Sequence, residues 1–409
     1  MDVMYRRCAG LDVHQHTVVA CVRRAEGPKV EQKVETFKTT AKGLACLKTW
    51  LLEQGCTHAA LESTGVYWKP VWLALEGGLE LILANAQEVR NLPGRKSDVQ
   101  DAMWLADLLA HGLIRGSFVP PSTVQALREL SRTRTQLKQE VTRHTQRLQK
   151  TLESAGLKLT GLISDVLGAT GRAILEALIA GQSDPTVLAQ LKRKSIRASE
   201  EQLRDALPGR LQEHHRLLLR LHLEQVDALE QAITELETRV GEILDPFRSH
   251  VELLKTIPGI QETTARMVLA EIGFDLHQFP TAGSLVCWAG LCPGSDESAG
   301  KRRSTRLRKG NPWLRTALVQ AAWAATRKKD GYLRALFQRL KSRHGAKKAI
   351  IAVAASMLTS IYFMLQRQEP YTDLGPAHFD TRQRNQAARR LIRRLEDLGF
   401  RVEVQSAAA

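Results

Sequence analysis

The chain has 409 residues, 43% of them hydrophobic and 25% charged, with a formal net charge of +16. That length predicts two or three domains, and the composition excludes a disordered, collagen-like or disulfide-framework protein. Residues 300–350 hold 16 of the lysines and arginines against one acid, Asp330, while the rest of the chain is close to neutral. A single-sign block interleaved with Trp313, Trp323, Tyr332 and Phe337 predicts a folded polyanion-binding surface.

The N-terminal residues lack the apolar stretch of a secretory signal, so a cytoplasmic protein is expected. The apolar run Ala349 to Leu365 falls just short of a membrane span and predicts a buried helix, so no membrane partner is expected. The cysteines Cys8, Cys21, Cys46, Cys56, Cys287 and Cys292 show no CxxC spacing and are expected to be core thiols in a reducing compartment.

Residues 7–24 alternate as a hairpin turning near His14 to His16, and Val30 to Phe37 predicts a third strand. Ala41 to Gln54 has helical spacing, His58 to Glu62 is a short apolar strand, and Trp68 to Glu76 is helical. Leu79 to Asn85 is another strand, and Ser97 to His111 is a helix with Ala102, Leu105, Leu108 and Leu109 on one side. The order β-β-β-α-β-α-β-α is that of an RNase H-like fold.

GSFVPP at 116–121 marks a boundary. Beyond it Ser122 and Gln125 predict a capping box at the start of a long helix with Leu127, Leu130, Leu137, Val141 and Leu148 on a stripe. Val226, Leu229, Ile233, Leu236, Val240 and Ile243 keep a heptad-like spacing in a second long helix. The two fit either an intramolecular hairpin or a coiled-coil arm that joins protomers. LLKTIPGIQETTARMVLAEIG at 253–273 predicts a helix-hairpin-helix element whose turn suits a phosphate, or a plain helical hairpin. The expected division is 1–118 for the α/β domain, 119–250 for the helical coiled-coil region, 251–366 for a mostly helical C-terminal domain and 367–409 for a helical tail.

Four carboxylates stand out. Asp12 lies within the apolar first strand, Glu62 ends the apolar fourth strand, and Asp98 and Asp101 share a face at the start of a helix. In an RNase H-like sheet strands one and four are neighbours and the last helix crosses them, which would gather all four. Such a cluster calls for a cation, and hard oxygen donors select Mg²⁺ or Mn²⁺. Taken singly, Asp98 and Asp101 are also what a helix N-terminus favours, and Glu62 is also what a strand end tolerates. Asp107 and Glu88 read as structural acids.

GLDVH at 10–14, LESTGVYW at 61–68, KSDVQDAMWLA at 96–106 and PGSDESAGKRRSTRLRKGNPWLR at 293–315 closely resemble the DEDD transposases of the IS one-ten family of bacterial insertion sequences. The resemblance implies a RuvC-like N-terminal domain whose acids are Asp12, Glu62, Asp98 and Asp101. It also implies a C-terminal domain with a serine nucleophile at Ser298, where Ala299 stands between the serine and the glycine that follow one another directly in the family. Ser295 and Ser304 are lesser candidates. Family members are recombinases guided by a structured noncoding RNA that pairs with donor and target DNA. They assemble as tetramers with composite sites. Lys301, Arg302, Arg303, Arg306, Arg308 and Lys309 would hold nucleic acid beside the serine. Two other readings fit part of this pattern, a junction nuclease that uses only the acids and a non-catalytic nucleic-acid-binding scaffold.

Overall fold

The computed structural model describes residues 3–27, 29–63, 65–85, 98–194, 196–294, 296–298, 301–304, 306–399 and 401–402. It divides into two compact units, Met1–Pro120 and Pro121–Ala409.

The first unit is built on a five-stranded mixed sheet. Its strands are β1 (Arg7–Val13), β2 (Thr17–Glu26), β3 (Lys29–Lys38), β4 (His58–Glu62) and β5 (Glu80–Ala84), in the spatial order β3-β2-β1-β4-β5. β1 runs antiparallel to β2 and parallel to β4, with Asp12 opposite Val19 and Leu11 opposite Leu61. Alternation along β1 sends Ala9, Leu11 and Val13 to one face, where they pack with Leu47 and Leu51 of α1 (Ala41–Glu53) and with Val71 and Leu75 of α2 (Trp68–Leu75). Cys8, Gly10 and Asp12 go to the other face, beneath α3 (Asp98–Ala110). A Cβ on Gly10 would lie 2.2 Å from the Ala102 carbonyl oxygen and 2.4 Å from the Ala106 nitrogen. Only a glycine there lets α3 settle directly on β1.

Beneath α3, the buried Arg23 of β2 donates from Nε to Asp107 at 2.7 Å, and Gln32 donates to the same oxygen at 3.3 Å. Glu88 lies outside the described residues. Burial pushes the thiols of Cys8, Cys21 and Cys56 up to about 12, 11 and 11. Cys46 is exposed, and Cys287 and Cys292 are half-buried with sulfurs 3.0 Å apart, so the expectation of core thiols holds for three of the six.

The second unit begins with α4 (Ser122–Ser154). Ser122 is its first helical residue, Pro121 takes the cap position, and no side chain caps the helix. The expected capping box is therefore absent: an extended proline already sets the direction in which the chain joins the helix, one residue earlier than the Ser-x-x-Gln pattern suggested. α4 pairs antiparallel with α8 (Glu213–Leu244) through Val141, Val226 and Ile233, flanked by Leu137 and Leu229. An ion pair from Arg134 to Glu237 and the contact of His144 with His222 fix the same register. Within the chain, the two long helices thus form an intramolecular arm. Between them α5 (Ala169–Ile179), α6 (Pro185–Gln190) and α7 (Glu200–Ala206) close over a separate core containing Leu152, Leu175, Leu188 and Leu203.

Burial holds His222 below the usual histidine range, and the neighbouring His144 and Arg147 press in the same direction. A histidine lowered in the folded state contributes stability that is fully present above the unfolded value near 6.5 and is lost as pH falls through the lowered value. The unfolding midpoint is expected to drop between pH 7 and pH 5, and His222→Leu should reduce that drop. Equal drops in both proteins would remove His222 as the cause.

The remaining helices are α9 (Arg248–Lys255), α10 (Glu262–Ile272), α11 (Ala282–Trp288), α12 (Pro312–Ala325), α13 (Tyr332–His344), α14 (Ala346–Arg367) and α15 (His378–Asp397). A short hairpin, β6 (Asp296–Ser298) and β7 (Lys301–Ser304), lies between α11 and α12. α9 and α10 are the two helices around the Pro-Gly-Ile turn. α14 is long and apolar enough to cross a membrane by composition, yet Val353, Ala354, Met357, Leu358 and Ile361 are buried within the unit, as a core helix requires.

Glu271 of α10 is fully buried and accepts two hydrogen bonds of 2.8 Å from Arg132 and one of 2.5 Å from Asn311. Arg128 bonds the Glu271 carbonyl oxygen, and burial lowers its guanidinium to about 10. Asn311 also caps α12 through its side-chain oxygen. One buried carboxylate therefore ties the root of the arm to the segment after the hairpin. Glu271→Ala would strand two cations and is expected to cost about 3–5 kcal/mol, read as a lower urea midpoint. A loss under about 1 kcal/mol would show that water replaces the carboxylate.

Candidate active site

The site in the first unit follows from strand register. Gly10 pairs with Ala60 and Leu11 with Leu61 in a parallel ladder, so Asp12 and Glu62 end neighbouring strands on the face that α3 covers. The close seat at Gly10 fixes the helix, and its first turn carries Asp98 and Asp101 toward the same end of the sheet. Asp12 and Glu62 are buried, with about 8% and 9% of their surface exposed, while Asp98 and Asp101 are open to solvent.

The other three acids bear on Asp12. Burial raises the Asp12 carboxyl above its ordinary value, His14 opposes the rise, and the charges of Asp98, Asp101 and Glu62 add to it. His14 is the residue that sequence reasoning passed over. Its Nε2 lies 3.1 Å from Asp12 and 3.3 Å from Asp98, and ligand atoms of the three residues lie within 4.8 Å of one another. The signal was present in GLDVH: two residues beyond Asp12, a side chain returns to the same face. Carboxylate oxygens with one imidazole suit a hard or borderline divalent cation.

The serine segment lies in the second unit. The backbones of Gly290 and Gly310 meet so closely that a Cβ on Gly310 would lie 2.3 Å from the Gly290 nitrogen. From that pinch two strands run out together. Arg308 donates to the Cys292 carbonyl at 3.2 Å, Gly294 donates to the Arg306 carbonyl at 2.9 Å, and Pro293 bridges Leu307. The ladder ends with Ser298 in register with Lys301. Arg306, Arg308 and Lys309 are exposed along the segment that follows β7. The side chains of Ser298, Lys301, Arg302 and Arg303, and the whole of Ser295, lie outside the described residues. The Ser304 hydroxyl accepts from the Arg306 nitrogen at 3.2 Å, an ordinary turn contact.

Clustered carboxylates at the end of a mixed sheet, together with a basic hairpin on a helical body, define a class: enzymes that process nucleic acid. Residues 9–156 match a family model for DEDD transposases, and residues 251–338 match the model described as transposase of the IS116/IS110/IS902 family. Together the two cover more than half of the chain. The chain belongs to the IS110 family of transposases. A comparison with curated proteins finds no match.

Proposed function

We propose that this transposase cuts and rejoins DNA through a phosphoserine bond at Ser298, with Asp12, Glu62, Asp98 and Asp101 as the acids of a RuvC-like, RNase H-like domain. The observation that carries the reading is the meeting of Asp12, His14 and Asp98 within 4.8 Å at the end of the sheet, with the charges of Asp101 and Glu62 also bearing on Asp12. The acids would hold Mg²⁺ or Mn²⁺, which when bound supplies positive charge against the transferring phosphoryl group. His14 holds Asp12 and Asp98 at fixed spacing through one nitrogen.

In this reading the Ser298 oxygen forms a bond to phosphorus, the bond from phosphorus to a deoxyribose oxygen breaks, and that oxygen leaves with a proton. A hydroxyl of another strand then attacks the phosphoserine and releases Ser298. The phosphodiester energy is retained, so no ATP is consumed. Arg306, Arg308 and Lys309, with Lys301, Arg302 and Arg303, hold the strand's phosphates beside the serine. The resemblance adds a structured guide RNA, assembly into a tetramer with composite sites, and work in the cytoplasm on donor and target DNA. The finer division at 118, 250 and 366 belongs to the same proposal.

The test is to incubate the full chain and its guide RNA with donor and target duplexes and a divalent cation. A protein–DNA adduct and recombinant product are expected. Strand hydrolysis without an adduct would favour a junction nuclease, and binding without cleavage would favour a scaffold.

The basic strand makes its own prediction. Replacing Arg306, Arg308 and Lys309 with glutamine should flatten the dependence of log K on log salt by about 0.9 for each phosphate that is no longer neutralised. An unchanged slope in filter binding would reduce this block to a solvated face.

A further inference from the structure

At the foot of the hairpin lies a groove of about 670 Å³, within the range of sites that hold small molecules. Its floor is aliphatic: Pro293 and Leu307, bridged to each other at the base of the hairpin, Leu340 from α13 and Ala352 from α14. Its rim carries Lys347 and Lys348, both exposed. These lysines occupy the first turn of α14, where the helix dipole disfavours cations, and no acid shares that turn. Helix stability does not account for them. No acid stands among the described residues that line the groove.

We propose that this groove receives one unpaired nucleotide of the DNA strand held at the Ser298 hairpin. The base lies between the aliphatic residues and its phosphates meet Lys347 and Lys348. An apolar slot under a cationic rim matches a nucleotide, which has apolar faces on its base and a charged backbone. A protein segment fits less well. The exposed Leu391 and Leu395 of α15 are apolar enough, but Arg393 and Arg394 stand beside them and would meet the lysines with like charge. Pro293 is five residues from Ser298, a span of at most about 17 Å, so the held nucleotide lies within about five base-pair steps of the serine. A strand can sit there only if the duplex is opened near the cut.

The inference rests on the reading of the hairpin as the DNA-cutting element, and its test separates the two. The full chain is titrated with a matched duplex and with the same duplex carrying one unpaired thymine. The bulged duplex should bind about tenfold more tightly, a difference of about 1.4 kcal/mol. Ala352→Phe fills the slot and should erase that preference while leaving matched-duplex affinity within about twofold. Leu307→Glu, at an exposed position on the hairpin, should erase it too and keeps the test independent of core packing. Ser298→Ala should retain the preference. Equal binding of bulged and matched duplex, or a preference that survives both groove variants, overturns the inference and leaves the recombinase reading standing. Absence of binding to either duplex also overturns the inference, and the adduct assay with guide RNA then decides the recombinase reading by itself. Loss of self-association in Ala352→Phe, seen by sedimentation without any effect on the bulge preference, assigns the groove to a second copy of the chain and also overturns the inference.

Discussion

Asp12→Asn is expected to abolish strand cleavage, lowering it by at least about a thousandfold, while raising the thermal stability of the metal-free protein near pH 7. The two effects have one origin. Asp12 is buried beside three other acids, and its carboxyl titrates above the ordinary range. A carboxyl raised in the folded state favours folding fully below the unfolded value near 3.9. That contribution is lost as pH rises through the raised value. At neutral pH an ionised Asp12 therefore opposes folding unless a cation answers it. Millimolar Mg²⁺ should raise the unfolding midpoint of the wild-type protein and have a much smaller effect on Asp12→Asn. Glu62→Gln, Asp98→Asn and Asp101→Asn should lose cleavage too, with smaller gains in stability for the exposed Asp98 and Asp101. Two of these four variants retaining near wild-type cleavage would end the assignment. So would a midpoint in the wild-type protein that Mg²⁺ leaves unmoved.

The second large effect is expected at Ser298. Ser298→Ala should bind DNA and guide RNA with wild-type affinity, form no covalent adduct and give no recombinant product. Ser298→Cys should retain a trace of adduct, because a thiolate is itself a competent nucleophile. The hairpin ladder supports the choice. Ser298 forms the last registered pair of the two strands, opposite Lys301, whereas the Ser304 hydroxyl is engaged by the Arg306 nitrogen. Mass spectrometry of the trapped adduct decides among the serines. A nucleotide on Ser295 or Ser304 would move the nucleophile, and full recombination by Ser298→Ala would make water the attacking group.

The sheet and its acids were legible because their signals are short-range. Alternation identifies the strands, an acid inside an apolar strand demands compensation, and Asp98 and Asp101 share a helical face by spacing alone. The α4–α8 arm showed its stripe from Val226 onward, and the structure extends it back through Leu219 and Leu223, where the additional exposed leucines Leu217, Leu218 and Leu221 mask the period. Two features were missed. The pairing of His14 with Asp12 was within reach of the spacing in GLDVH, but its contact with Asp98 needs the start of α3 folded over β1, which is a long-range event. Glu271 reads as one of several acids on a helix. Its burial is set by Arg128 and Arg132, well over a hundred positions earlier in the chain, and by Asn311, 40 positions later. Nothing local marks a carboxylate that will meet partners so distant.

The meeting of Gly290 and Gly310 has a consequence for how this transposase can vary. Because the surrounding helices hold those two backbones together, the ends of the hairpin are closed by the scaffold and not by the hairpin's own pairing. The entropy of closing a loop rises only slowly with its length. Residues can thus be added or removed between the two glycines at small expense to the body of the unit, while the same change just after Gly310 would pull on Asn311 and the buried Glu271 carboxylate to which it donates. The reach of the serine beyond its scaffold is in this sense an adjustable length, set independently of the stability of the domain that carries it.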